Sequence, residues 1–319
     1  LAFDWYKKTT TGILRTIDVP LYVGVGGPVG NVANMNNTGY ELELGYHQTF
    51  NGVKVEFKGN ISHLKNRVTF ITQDQKYYNG ATIQSSSLEL SRVAVGQPIG
   101  VFYGYKTQGI FQTQDEVNNY KNKAGGLIQP NAKPGDFRWA DTNGDGAITT
   151  DDRTYIGDPT PDWSFGFTAS ASYQGFDVVL FGQGAAGNQI YNGLRRLDIS
   201  TANYSNKALG RWTGPGTSNT FPRLSIDDPN GNFSNPSDFY LENGDYFRIK
   251  VLQLGYTLPF NLMSKLHLQK LRVYVSGNNL VSITKYTGYD PEIGGGSYGI
   301  DRGYYPQARS FTAGLNLTF

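Results

Sequence analysis

A chain of 319 residues with 28 basic against 26 acidic side chains is long enough for one large or two ordinary domains, and its balanced charge gives no reason to expect nucleic acid as a partner. Cysteine is absent, which excludes a disulfide framework and thiolate chemistry, and no apolar run approaches the roughly 18 residues of a membrane-spanning helix. Aromatics at 14% and 40 glycines, against only 38% hydrophobic residues, suit β-structure with long irregular loops better than helices around a thick core.

The chain starts at Leu1 with neither an initiator Met nor a signal peptide, so a processed chain or a fragment is expected. A long connection is expected near 16–36. Its "GVGGPVG" is followed by "NVANMNN" with no helical period, and so lacks the context of a phosphate-binding loop. The first clear strand is "YELELGYHQTF": Tyr40, Leu42, Leu44, Tyr46 and Phe50 share one face, apart from a slip at the end, and Glu41, Glu43, Gly45, His47 and Thr49 share the other. Asn51-Gly52 makes a two-residue turn, and Val53, Val55, Phe57 and Ile61 return against Lys54, Glu56, Lys58, Asn60 and Ser62. After a long connection near 72–86, strand parity calls for "SSLELSRVAV", a turn at "GQPIG" and "VFYGYKTQGIF" as two further barrel strands, with Arg92 and Pro98 standing against the first.

Another long connection spans 113–162. Within this third one, "DTNGDGAITTDD" puts Asp141, Asn143 and Asp145 at loop positions 1, 3 and 5 and Gly146 at position 6, the pattern of an EF-hand calcium loop. Position 12 is Asp152 in place of Glu, and the flanks have no helical period. Structural Ca2+ on Asp141, Asn143, Asp145 and Asp152, with Thr149 contributing directly or through water, is one expectation. An Asx-rich turn network that satisfies its own backbone is the other.

The pattern then resumes in "WSFGFTASASY", turns at Gln174-Gly175 and returns in "FDVVLFGQG". A long connection covers 187–245. "FRIKVLQLGYTL" changes phase near Val251 and Leu252, which predicts a bulge. A short turn at 259–270 leads to "LRVYVSGNN", a long connection covers 282–308, and Phe311, Ala313, Leu315, Leu317 and Phe319 close the last strand.

Alternation alone does not decide between an apolar face turned to a core and one turned to lipid. Strand length does: about 11 residues at ~3.3 Å each, tilted by about 40°, span roughly 25–28 Å, the apolar band of an outer-membrane barrel. Short turns alternating with long connections follow the same rule. Trp5, Tyr40, Phe50, Trp163, Tyr173, Phe247 and Tyr256 fall where its aromatic girdles would lie. The expected fold is therefore all-β: about ten strands of a transmembrane antiparallel β-barrel with long extracellular loops.

Several motifs carry a resemblance. "VGNVANMNNTGYELEL", "GQPIGVFYGYKTQGIF", "PGDFRWADTNGDGAITTDDRTYIGDPTPDWSFGF", "NGDYFRIKVLQLGYTLP", "LRVYVSGNNLVSITKYTGYDPEI" and the closing "YYPQARSFTAGLNLTF" resemble the C-terminal part of SusC/RagA-type TonB-dependent outer-membrane transporters of Bacteroidetes, over essentially the whole chain. The resemblance implies that residues 1–319 are the C-terminal portion of a barrel of roughly 22 strands, the size that holds a plug. The TonB box, plug domain and first half of the barrel would lie outside it. It further implies multi-pass residence in the bacterial outer membrane and import of large nutrients, usually oligosaccharides and in some members peptides. The partners would be a SusD-like surface lipoprotein and the TonB-ExbB-ExbD complex.

On that reading Glu41, Glu43, Lys54, Glu56, Lys58 and Arg272 would surround a wet lumen. Tyr204, Arg211 and Trp212, in the external "NYSNKALGRWTGPGTSNTFPRL", are the candidates for sugar contact; the alternative is that they pack the loop or meet the lid. The three histidines, His47, His63 and His267, are placed too far apart to converge, so no enzyme activity is expected. A passive porin is the rival function, since the strands alone would suit one.

Overall fold

A computed structural model describes residues 1–17, 22, 24–72, 75–83, 89–195, 201–265, 268–293 and 298–319. His267 lies outside them. Three long strands open the chain: β1 (Ala2–Thr16), β2 (Val29–Phe50) and β3 (Val53–Ile71). Six short ones follow: β4 (Tyr77–Asn79), β5 (Ser91–Ala94), β6 (Val101–Gly104), β7 (Thr107–Ile110), β8 (Phe137–Trp139) and β9 (Thr154–Gly157). Then come β10 (Trp163–Tyr173), β11 (Phe176–Ala186), the short β12 (Gln189–Asn192) and β13 (Leu241–Asn243), β14 (Tyr246–Thr257), β15 (Lys270–Thr284), the short β16 (Ile300–Asp301) and β17 (Ser310–Thr318). The long strands form one 8-stranded sheet in the order β1-β2-β3-β10-β11-β14-β15-β17, every neighbour antiparallel.

The tight turns form where the sequence places them. Asn51 (φ 47) with Gly52 (φ 83), and Gln174 (φ 47) with Gly175 (φ 88), have the two positive φ values of a type I′ hairpin. At Gly175 a Cβ would also lie 2.6 Å from the Thr257 carbonyl oxygen. Gly175→Ala is therefore expected to lower unfolding stability by about 1–2 kcal/mol, measured by denaturant titration of the intact protein.

Two expectations need correction. "SSLELSRVAV" and "VFYGYKTQGIF" are not barrel strands, so the sheet has eight strands in place of about ten. β3 pairs directly with β10, from Lys54↔Ser172 to His63↔Trp163. Parity could not expose the error, because an ascending and a descending strand were added together. Their segments instead form β5, β6 and β7, each four residues long. Ser91, Ala94, Val101 and Phe102 are all buried there, so both faces of β5 and β6 are covered by loop. The connection near 16–36 also shrinks to 17–28. β1 and β2 run on past the apolar band, where "NVANMNN" keeps the backbone ladder while losing the apolar alternation.

The register shift at Phe181/Gly182 leaves Lys250 as the extra residue against β11, the bulge expected near Val251, while the shift at Ile249/Val251 puts an extra residue on β15 between Asn278 and Val281. Every tight turn therefore lies at one end of the sheet, and residues 72–162, 187–245 and 285–309 emerge at the other. One buried cluster sits on the loop-side ends of β2 and β3, where Val32, Ala33, Val68 and Ile71 join Tyr78; the others lie in those long segments. One joins Ile83, Leu90, Phe102, Tyr191, Tyr240 and Ile300; another joins Tyr105, Ile110, Phe137 and Trp139.

The sheet's own apolar face is left uncovered. Trp5 is 65% exposed, Leu44 49%, Val275 55% and Phe311 79%. In register they form one surface from Phe3 and Leu42 through Ile61 and Phe165, across Leu180, Leu252 and Leu254, to Val275 and Leu315. Such an area is far beyond the scattered apolar exposure of a water-soluble surface.

Candidate functional site

The opposite face is polar, as strand alternation demands. It carries Glu41, Glu43, Lys54, Glu56, Lys58 and Arg272 together with His47, Thr168, Ser170, Ser172, Asp177 and Gln253. Near the turn end, His47, Thr49, Lys54, Glu56, Ser170, Ser172, Asp177 and Val179 line a hollow of about 660 Å³. Arg272 grips Asp177 in a fork, Nε to Oδ1 at 2.9 Å and Nη2 to Oδ2 at 2.5 Å. The Lys58–Glu56 pair, at 2.6 Å, stands in solvent and contributes little to stability.

Toward the loop end, a charged cluster fastens the last external segment to this face. Arg248, whose side chain is only 3% exposed, donates to Ser282 Oγ (2.7 Å), Glu292 Oε2 (2.8 Å) and Asp290 Oδ1 (2.5 Å). The bulge residue Lys250 donates to both Glu292 oxygens at 2.9 and 2.7 Å, and Gln183 Nε2 reaches Oε1 at 3.1 Å. Asp290 also accepts from the backbone N–H groups of Glu292 and Gln307. Sequence reasoning missed this cluster, because Arg248 and Asp290 lie 42 residues apart. Its only signal was a cation at the phase break of one motif and two acids, "DPE", in another.

Burial works to raise the pKa of Asp290, but the Arg248 guanidinium and the two backbone donors outweigh it and hold the carboxyl below its ordinary value. A depressed folded pKa gives stabilisation that is present above the ordinary carboxylate value of about 3.9 and is lost as pH falls through the lower folded value. Exchange of the Glu292 and Gln307 amides, corrected for intrinsic rates, is therefore expected to stay flat from neutral pH to about 5 and to accelerate only below about 4.

A second tie joins two external segments. Glu242 accepts from Lys207 Nζ and Asn192 Nδ2, both at 2.8 Å, and from the Thr287 N–H and hydroxyl. A third is buried: Asp136 meets Arg223 Nε at 2.7 Å and Asn232 Nδ2 at 2.8 Å.

The acidic loop is folded by its own hydrogen bonds. Asp141 accepts from the N–H groups of Gly144 and Gly146, Asn143 Oδ1 from that of Asp145, and Asp145 Oδ1 from that of Ala147. Gly146 takes φ 88, as a sharp turn at position 6 requires. Asp152 is fully buried and binds the N–H groups of Thr142 and Thr149, closing a capping box with Thr149. Asp141, Asn143 and Asp145 thus gather at one turn, while Asp152 serves the backbone. Among the described residues no three His, Cys, Asp or Glu side chains form a group able to hold a metal.

Tyr204, Arg211 and Trp212 do not converge. Tyr204 packs edge-on to Phe233 at 5.3 Å, with Arg195 over its ring. Trp212 donates to Gln112 Oε1 at 3.0 Å and lies against the Tyr105–Trp139 core, and Arg211 Nη1 donates to the Ala208 carbonyl of its own turn. All three are half-buried. His47 and His63 stand on opposite faces of the sheet.

An antiparallel sheet with an uncovered apolar face, a charged polar face and its long loops gathered at one end is the wall of an outer-membrane-type β-barrel. No protein-family model matches the chain. It is 32% identical to TonB-dependent receptor P3 of Formosa agariphila over 100% of its own length and 32% of the relative's. TonB-dependent receptor SusC of Bacteroides thetaiotaomicron is 26% identical over 100% of the chain and 30% of the relative. The solved RagAB peptide transporter superposes with a TM-score of 0.77 at 24% identity, covering 99% of this chain and 33% of that one. The chain thus spans about a third of the length of the relatives it matches. From end to end its sequence is of the kind found in proteins named TonB-dependent receptors, SusC among them.

Proposed function

We propose that this chain forms the C-terminal portion of the barrel, with its external loops, in a TonB-driven importer of large nutrients, oligosaccharides before peptides, in the bacterial outer membrane. The observation that carries this reading is the uncovered apolar face backed by a charged polar one. The full-chain similarity to proteins named TonB-dependent receptors supports it. On this reading the eight strands belong to a barrel of roughly 22, and a plug and TonB box lie in the remainder of the polypeptide. A SusD-like lipoprotein would cover the external loops, and TonB-ExbB-ExbD would supply the drive. Preference for oligosaccharides rests on the Tyr-, Trp- and Asn-rich loops; the peptide alternative is favoured by the likeness to the RagAB peptide transporter, at an identity that speaks for fold alone.

The test is the denatured mass of the native polypeptide extracted from its membrane. A mass about three times that of this chain, with a co-purifying lipoprotein and uptake abolished by loss of TonB, is the expected result. A mass equal to this chain, with uptake indifferent to TonB, would make it a passive pore.

For the acidic loop we propose a structural role, with calcium as the ion its ligand spacing favours. Calcium titration of the intact protein is expected to give heat that Asp145→Ala abolishes, together with faster proteolysis of the loop in the variant. No heat and unchanged proteolysis would leave the hydrogen-bond network as the whole explanation.

A further inference from the structure

The apolar face ends at its loop side in an aromatic row. Strand register aligns Trp5, Tyr40, His63 and Trp163 across four neighbouring strands. Tyr40 stacks on His63 at 5.0 Å, and His63 meets Trp163 at 4.7 Å. At the turn end, Tyr173, Phe176 and Tyr256 mark the other limit. β10 joins the two rows with 11 residues, about 33 Å along the strand and roughly 25 Å of thickness at a tilt near 40°. The residues just beyond the Trp5–Trp163 row therefore stand at headgroup level, outside the hydrocarbon.

What occupies that level is basic. One step beyond the aromatic row, register aligns Lys7, Thr38 and Lys65; one step further it aligns Thr9, Asn36 and Arg67. Lys7 and Lys65 share the outward face of Trp5 and His63, two strand spacings or about 9.5 Å apart, and Arg67 follows Lys65 by about 7 Å. All three cations are exposed. Every carboxylate borne by β1, β2, β3, β10 and β11, namely Asp4, Glu41, Glu43, Glu56 and Asp177, stands on the opposite face. Arg67 Nε donates to the Gly96 carbonyl at 3.1 Å, which holds the guanidinium at the rim. Beside it Lys65, Arg67, Gly96, Pro98 and Thr160 line a hollow of about 290 Å³. Asp158 and Asp162 line it too, and among the described residues neither pairs with Lys65 or Arg67.

We propose that Lys7, Lys65 and Arg67 form a binding site for the phosphate of an anionic lipid in the outer leaflet, with its acyl chains lying on the apolar wall below the aromatic row. Three unpaired cations within reach of one group, immediately above an apolar surface, match a molecule that is a phosphate at one end and hydrocarbon at the other. Cations on a lipid-facing wall extend their charged ends to the interface, and each contributes about a five-fold preference for an anionic surface. The proposal rests on the membrane-spanning reading of the sheet.

The test uses the full-length protein in phosphatidylcholine nanodiscs doped with a minority of diphosphorylated lipid A, with retained lipid counted by native mass spectrometry. The combined Lys7→Gln, Lys65→Gln, Arg67→Gln variant is expected to retain at least roughly ten-fold less lipid A than the parent. Lys54→Gln with Lys58→Gln, on the polar face of β3, should leave lipid A retention unchanged. If the triple variant fails to insert, Lys65→Gln alone is read, with a loss of about five-fold expected. Equal retention by parent and variant would overturn the site. Equal retention of lipid A stripped of its phosphates, or displacement by inorganic phosphate alone, would overturn the assignment to a lipid headgroup. Failure of the parent to enter nanodiscs at all would instead overturn the membrane reading.

Discussion

Leu44→Arg is expected to lower the folding stability of the barrel by about 2–4 kcal/mol, the cost of a cation at the lipid midplane. Leu44 shares a row with Gly59 and Phe167, about midway between the Trp163 and Tyr173 levels, and is 49% exposed on the apolar face. A surface Leu→Arg change in water would cost almost nothing, so the size of the effect reports the solvent on that face. Thr168→Glu, one residue from Phe167 but on the polar face opposite Lys58, is the internal control and should stay within about 0.5 kcal/mol. Unfolding in bilayers, or heat-modifiable migration on gels, separates the two variants. If both were neutral, the apolar face would have to meet water.

Arg248→Met is expected to release the segment around 286–309 from the wall, at a local cost of about 3–5 kcal/mol. The methionine fills most of the arginine's volume, so the loss is electrostatic: Asp290 and Glu292 are left close together, with Lys250 as the remaining cation beside Glu292. Hydrogen exchange in residues 286–293 of the intact protein should rise by at least roughly a hundred-fold. Adding Asp290→Asn and Glu292→Gln should recover most of the protection, because a buried ionic cluster and a neutral one of similar shape often differ little. Protection lost equally in the single and the combined variants would show that packing, and not charge, fastens the segment.

The strands that alternate cleanly were legible because one face meets hydrocarbon and the other water. Tyr40, Leu42, Leu44 and Tyr46 against Glu41, Glu43 and His47 needed no further information, and Asn51-Gly52 and Gln174-Gly175 declared their turns through their φ preferences. The short loop strands were misread for a physical reason. β5 and β6 are covered on both faces, so residues such as Ser91, Ala94 and Phe102 are chosen for packing and carry no period that distinguishes a four-residue loop strand from a barrel strand.

The site was legible only in part. Face assignment alone placed Lys54, Glu56, Lys58 and Arg272 on the polar wall. The Arg248–Asp290–Glu292 cluster was invisible because it joins chain-distant residues through tertiary structure. Tyr204 and Trp212 drew notice as aromatic residues in a polar loop, yet the same rings serve as the small core of a segment that has little else to bury.

The central claim is that the two faces of the sheet meet different solvents. Because the chain lacks cysteine, single cysteines at Leu42, Phe167 and Leu254, and at their neighbours Glu41, Thr168 and Gln253, can be labelled in intact outer-membrane vesicles. The expected result is reaction of the first three only with a lipid-partitioning maleimide and of the second three only with a water-soluble one. Equal labelling of both sets by the water-soluble reagent would contradict the barrel wall and return the sheet to a setting with water on both faces.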